Sequence, residues 1–200
     1  MLWCPEYSGN KNVESPFLSL PGEIRQEIYR KVLINEPPEV RFVFDTPGNQ
    51  LLPAEPFPLK VLQTCRQILE EAFYIYYNDN TFIFNCINDL HDFLKRIGPR
   101  RRREICSLAA DLSKLVGRRG KAVVRLLKQC VNLKNLHIIC LPAWPYTGSL
   151  RPSLLHLGTL RGLKEVRLPD NLQRDSDGNM KTVAWGGDIL RLRDEMMQPR

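Results

Sequence analysis

Between Ser15 and Leu33 the chain reads SPFLSLPGEIRQEIYRKVL, in which Leu20, Ile24, Ile28 and Val32 recur four apart and Leu33 stands beside the last. Residues four apart share one face of an α-helix, so this predicts a helix starting near Pro21 with one apolar stripe. Arg25, Gln26, Glu27, Arg30 and Lys31 fall on the other side. Proline suits the first helical turn, and Glu23 complements the positive end of the helix dipole. Asn35-Glu36-Pro37-Pro38 ends the pattern, after which Val40 to Phe44 alternates and sets Val40, Phe42 and Phe44 on one face of a half-buried strand. The stretch from Thr46 to Pro58 holds four prolines and one glycine and reads as a loop. Helical spacing returns from Leu59 to Tyr77 through Leu62, Cys65, Leu69, Ala72, Phe73 and Tyr76, and Asn78-Asp79-Asn80 stops it. Thr81 to Phe84 is a second strand, a pairing partner for Val40 to Phe44. Asn88 can cap a third helix with Leu90, Phe93, Leu94 and Ile97 inside, ended by Gly98-Pro99.

From Arg103 onward three segments overlay: Ile105-x-x-Leu108-x-Ala110, Leu133-x-x-Leu136-x-Ile138 and Leu163-x-x-Val166-x-Leu168. Their first apolar residues are 28 and 30 positions apart. That period resembles leucine-rich repeats, which run roughly 20–29 residues with one strand and one helix each. The connecting helices would be Lys121 to Cys130 and Leu154 to Leu160. Beyond Pro169 the expected elements are a turn at Asp175 to Asn179, a strand at Lys181 to Trp185 and a closing helix at Asp188 to Met197.

The wording of the first helix adds a second likeness. Leu20-Pro21-x-Glu23-Ile24-x-x-x-Ile28 resembles the opening of an F-box, the helical module that docks substrate receptors onto cullin–RING ubiquitin ligases. Leu62-Gln63-Thr64-Cys65-Arg66-Gln67-Ile68 looks like the second F-box signature, and with Tyr76-Tyr77-Asn78-Asp79-Asn80-Thr81-Phe82 it is similar to F-box-like proteins of filamentous fungi. The resemblance covers roughly residues 15 to 105. The polar start and the repeats complete the expected α+β chain in three parts: a flexible arm over 1–14, an F-box-like helical module with a small β-hairpin and a proline-rich insertion over 15–102, and a short leucine-rich-repeat-like β/α segment over 103–200, the middle part being what the F-box resemblance implies. That resemblance also implies an adaptor-binding surface on Leu20, Pro21, Ile24, Ile28, Val32 and Leu33, some of which should stay exposed in the isolated chain.

Composition narrows the chemistry. At 200 residues and 43% hydrophobic, the chain can bury one sizeable core. No apolar run approaches the ~20 residues of a membrane span, and the first residues lack a basic leader and apolar block, which points to a cytoplasmic or nuclear protein. The six cysteines are spread through patterned segments and read as free thiols. His91 and His137 are expected to face solvent, and His156 to be partly buried. No nucleophile elbow, phosphate-cradling glycine loop or His-Glu-x-x-His pair is present, so neither catalysis nor a cofactor is expected. Cys130, His137 and Cys140 lack zinc spacing and a fourth ligand, and Asp175-x-Asp177-Gly178 lacks the calcium-loop glutamate, so no metal is expected.

The net charge of +7 is concentrated in two places. Lys95, Arg96, Arg100, Arg101, Arg102 and Arg103 surround the end of the third helix, and Arg118 and Arg119 open a second cluster. These are candidate contacts for an acidic protein. Nucleic acid ranks behind, because no base-stacking aromatics are interleaved with the arginines. Trp144 and Tyr146 lie in an apolar loop and are candidate partner contacts. The expected function is a non-enzymatic interaction module, an F-box-like substrate receptor. The alternative is a nuclear or chromatin scaffold that contacts an acidic protein or nucleic acid through its basic patch.

Overall fold

The computed structural model describes residues 15–45, 50–53, 58–112, 115, 117–140, 156–169, 172–174, 180–182 and 187–199, with backbone alone at 43–45, 50–53, 58–59, 140, 172–174 and 180–182. Four helices precede the last parallel strands or lie among them: α1 (Gly22–Leu33), α2 (Arg66–Asp79), α3 (Ile87–Glu104) and α4 (Gly117–Leu127). The strands of the main sheet are β1 (Glu39–Asp45), β2 (Gln50–Pro53), β3 (Thr81–Phe84), β4 (Ser107–Asp111), β5 (Asn135–Cys140) and β6 (Glu165–Arg167). A separate two-stranded sheet pairs β7 (Leu172–Arg174) with β8 (Met180–Thr182), and α5 (Gly187–Met197) follows. The chain is thus a mixed helix-and-strand protein.

The main sheet runs β2-β1-β3-β4-β5-β6, and every pair from β1 to β6 is parallel except the antiparallel edge pair β1–β2. Each parallel strand is added beside its predecessor in chain order, so successive crossovers advance in one direction and lay their helices on one face. Across that face one row of side chains runs Val40, Phe82, Leu108, Leu136 and Val166, and a second runs Phe42, Phe84, Ala110 and Ile138. All nine are buried. The register aligns Leu108, Leu136 and Val166, the middle positions of the three segments overlaid in the sequence. The backbone repeats as well. Lys134 and Asn135 N–H groups both donate to the Cys106 carbonyl at 2.9 and 3.0 Å, and Lys164 and Glu165 donate to the Lys134 carbonyl at 2.7 and 3.1 Å.

Four phenylalanines fix the first half of this core. Phe42 stacks on Phe84 at 5.2 Å between ring centroids, and Phe93 of α3 meets Phe42, Phe84 and Phe82 at 4.8, 5.0 and 5.4 Å. Such pairs add about 0.5–1.5 kcal/mol each beyond their buried area. At the other end α5 buries Leu192 and Met196, and Leu192 lies against Gly158 of the 3-10 turn Leu157–Thr159. A Cβ on Gly158 would stand 2.8 Å from Leu192 Cδ1, so the close approach depends on glycine.

Several expectations need correction. The strand at 40–44 does pair with 81–84, but in parallel, and the hairpin is made instead with Gln50–Pro53, inside the stretch read as loop. Pro53 sits on an edge strand, where its missing N–H is tolerated. The helix expected over 59–77 is a 3-10 turn (Pro58–Gln63) followed by α2, because Cys65 is extended and caps α2, its Sγ accepting from the Ile68 N–H at 3.5 Å. The third helix does break at Gly98-Pro99, with Gly98 at φ 78°, and a second helical segment follows the break to Glu104. The fourth begins at Gly117 rather than Lys121, and the 154–160 helix reduces to a 3-10 turn among its described residues.

Candidate functional site

The surface of α1 is built differently from its apolar spacing. Tyr29 and Leu33 are the residues it buries, at 1% and 0% exposure, with Phe17 edge-on to the Tyr29 ring at 5.6 Å. Burying each contributes about 1.5–3 kcal/mol. The Leu20–Ile24–Ile28–Val32 stripe lies to one side of that pair: Ile24 is 44% and Val32 39% exposed, Pro21 is exposed, and Leu20 and Ile28 are half-buried. Of the six residues singled out for the adaptor surface, only Leu33 belongs wholly to the core.

What turned the helix is Arg25, expected on the solvent side. Its Nε and Nη2 donate to Glu71 Oε2 and Oε1 at 2.9 and 2.7 Å, a two-pronged pair from α1 to α2. Its Nη1 reaches the Leu18 carbonyl at 3.2 Å and also the Leu20 carbonyl, tying down the turn ahead of the helix. The Tyr29 hydroxyl donates to Glu71 Oε2 at 3.0 Å, and Gln67 Nε2 donates to Oε1 at 2.9 Å. With three donors on one carboxylate, led by Arg25 and then Gln67, the Glu71 carboxyl is held down to about 2. Burial, and then the Glu71 carboxylate, push the Tyr29 phenol up to about 12.

Asn80 is the other polar residue that sets these helices. It is fully buried, donates from Nδ2 to the Leu33 and Tyr76 carbonyls at 2.8 and 3.0 Å, and accepts from the Asn35 N–H at 3.4 Å. The last carbonyls of α1 and α2 therefore share one side chain. In the sequence Asn78-Asp79-Asn80 reads as a stop signal, because a buried asparagine between two helix ends looks there like any turn residue.

The basic residues separate into two groups. Lys95, Arg96, Arg100 and Arg103 are exposed and Arg101 half-buried, whereas Arg102 is 8% exposed, its Nε without a hydrogen-bond partner among the described residues. Arg118 and Arg119 are exposed on α4, and Arg119 Nη1 donates to Asn88 Oδ1 at 2.7 Å. The kink at Gly98 turns Pro99 to Arg101 beside α2, and a groove of about 460 Å³ opens between them. Leu69, Phe73 and Ile97 are half-buried along it, and the Arg100 guanidinium lies over the Phe73 ring at 5.0 Å. No sequence pattern joins these residues, which lie about thirty apart and meet only through the kink. Trp144 and Tyr146 lie outside the described residues.

The sheet face away from the helices carries Thr81, Ser107, Asn135 and Glu165 in one row, with Asn135 Nδ2 donating to Ser107 Oγ at 2.8 Å. His137 is exposed on this face and His156 half-buried, as expected, but His91 is half-buried beside Asp92, its Nδ1 2.9 Å from Oδ1. Cys65, Cys86 and Cys106 are free thiols, and burial pushes the Cys106 thiol up. Among the described residues no three His, Cys, Asp or Glu side chains cluster as metal ligands, and no helix is long and apolar enough to cross a membrane. No family model, curated protein or solved structure matches this chain.

Proposed function

We propose that this chain is a non-enzymatic interaction module, an F-box-like substrate receptor that docks a cullin–RING ligase adaptor through α1. The observation that carries it is the uncovered apolar stripe: Pro21, Ile24 and Val32 exposed, Leu20 and Ile28 half-buried, on a helix whose own core contacts are met by Tyr29 and Leu33. Exposed apolar side chains aligned along one helix face mark a partner surface. The Arg25–Glu71 pair supports the reading by holding that face outward. The parallel strands added in chain order, with Leu108, Leu136 and Val166 in register, support a leucine-rich-repeat-like second half that would present the target.

The test is co-expression with the F-box adaptor, then size-exclusion chromatography at low and at ~0.5 M salt, where the Debye length is only about 4 Å. A salt-resistant one-to-one complex is expected, lost in Ile24→Asp while the variant stays folded. A folded chain that forms no complex would sink the adaptor reading. The exposure of Lys95, Arg96, Arg103, Arg118 and Arg119 favours a second reading, a nuclear scaffold contacting an acidic protein or nucleic acid. Its complexes would weaken steeply with salt.

A further inference from the structure

We propose that the groove between α2 and the kinked end of α3 is a docking site for an acidic peptide segment carrying an apolar side chain. The floor supplies the apolar half. Leu69, Phe73 and Ile97 stand half-buried along a groove of about 460 Å³, inside the roughly 300–1,000 Å³ range of ligand-sized pockets. The rim supplies the charge. Arg66, Arg100 and Arg101 line it against one acid, Glu70, which Arg66 already holds at 3.0 Å. Among the described residues no carboxylate forms an ion pair with Arg100 or Arg101, and exposed Arg96 and Arg103 on the same helix add to the positive field.

The geometry of Arg100 is suited to a carboxylate. Its guanidinium carbon lies over the Phe73 ring at 5.0 Å, a cation–π contact that holds the group at the groove. The N–H groups of a guanidinium match the two oxygens of a carboxylate. The same contact argues against nucleic acid, because Phe73 is the one aromatic ring lining the groove among the described residues and Arg100 already lies over it. Gly98 makes the arrangement. At φ 78° and ψ 170° it occupies a region essentially reserved for glycine, and without that turn α3 would run on straight and carry Arg100 away from α2. The groove face of α2 (Arg66, Leu69, Phe73) is distinct from the face that meets α1 (Gln67, Glu71), so the site is independent of adaptor docking.

The experiment is fluorescence anisotropy on the full chain with a fluorescein-labelled peptide of two leucines set among glutamates. Control peptides carry glutamine for glutamate or serine for leucine. Binding to the parent peptide is expected, weakened about tenfold or more by either peptide change and by the pair Arg66→Glu with Arg100→Glu. Arg118→Glu with Arg119→Glu makes the same charge change beside the opposite end of α3 and is expected to shift affinity less than about threefold. Circular dichroism checks each fold, and the milder Arg100→Gln serves if the charge reversals unfold the chain. Ile24→Asp should leave peptide binding unchanged, which separates failure here from failure of the adaptor reading. Equal losses from both arginine pairs, no binding to the parent peptide, or tighter binding of a single-stranded DNA oligomer of matched length would each overturn the proposal.

Discussion

Replacing Asn80 with alanine should be among the most damaging single changes in the first half of the chain. The side chain is fully buried and its Nδ2 serves two carbonyls, Leu33 at 2.8 Å and Tyr76 at 3.0 Å. Neither carbonyl lies where its own helix can supply every donor, since both fall in the last turn. Truncation removes two buried hydrogen bonds and leaves the Leu33 carbonyl short of a donor, so a loss of roughly 2–4 kcal/mol is expected. For a domain of this size that lowers Tm by roughly 5–15 °C. Urea denaturation followed by circular dichroism should show the midpoint falling with the slope unchanged, the signature of lost stability alone. Asn80→Asp is the sharper version, because it keeps the shape but sets a carboxylate oxygen against the two carbonyls, and it should cost at least as much as alanine. Asn132→Ala, on an exposed turn, is the reference and should move stability by less than ~0.5 kcal/mol. The reasoning is refuted if Asn80→Ala matches Asn132→Ala, or if Asn80→Asp is tolerated.

Four further outcomes are expected. Val32→Asp, like Ile24→Asp, should leave the thermal midpoint within a few degrees of the parent, whereas Leu33→Asp should unfold the chain, because only Leu33 is buried. Glu71 binds its proton more weakly in the folded chain, at about 2 against an ordinary value of 4.5, so its contribution is complete above about pH 4.5 and is lost as pH falls towards 2; acid titration of Glu71→Gln should lack that part of the decline. Gly98→Ala forces a side chain into a left-handed region and should cost about 1–3 kcal/mol by denaturant melt; a stabilised variant would mean that α3 simply straightens. Cys65→Ser places a better capping oxygen at the start of α2 and should raise stability by a few tenths to about 1 kcal/mol, whereas Cys65→Ala should not.

The second half of the sheet was legible because its signal is redundant. The same apolar triplet occurs three times, and identical spacing leaves one register in which Leu108, Leu136 and Val166 align. The first half was harder. Val40 and Phe42 were placed on one face, but alternation is blind to strand direction, so the parallel pairing with β3 and the antiparallel edge strand at Gln50–Pro53 could not be told apart. On α1 the four-residue repeat marks a stripe that stays partly exposed, and the anchor Tyr29 lies outside it. Tyr29, with a polar hydroxyl, is the core anchor because Glu71 satisfies that hydroxyl, and Arg25 turns inward for the same acceptor. No local pattern announces a partner 46 residues away. The arginine groove was half visible: the charge run is obvious, but only the backbone at Gly98 decides that Arg100 folds onto Phe73 while Arg102 is buried.

Strand order in the main sheet has a consequence for how the molecule could be lengthened. Among the parallel strands β1, β3, β4, β5 and β6, each pairs only with the parallel strands just before and after it in the chain, apart from the edge pairing of β1 with β2. A copy of the stretch from Cys106 to Leu133, spliced in after Leu133, would bring its own strand, its own helix and its own carbonyl for the next strand's paired N–H groups, and no existing neighbour across the join would need a new kind of contact. A sheet whose order doubles back offers no such seam. Gene duplication, or a designer, could therefore widen this protein one unit at a time, adding surface for partners while α1 and the groove beside α2 stay where they are.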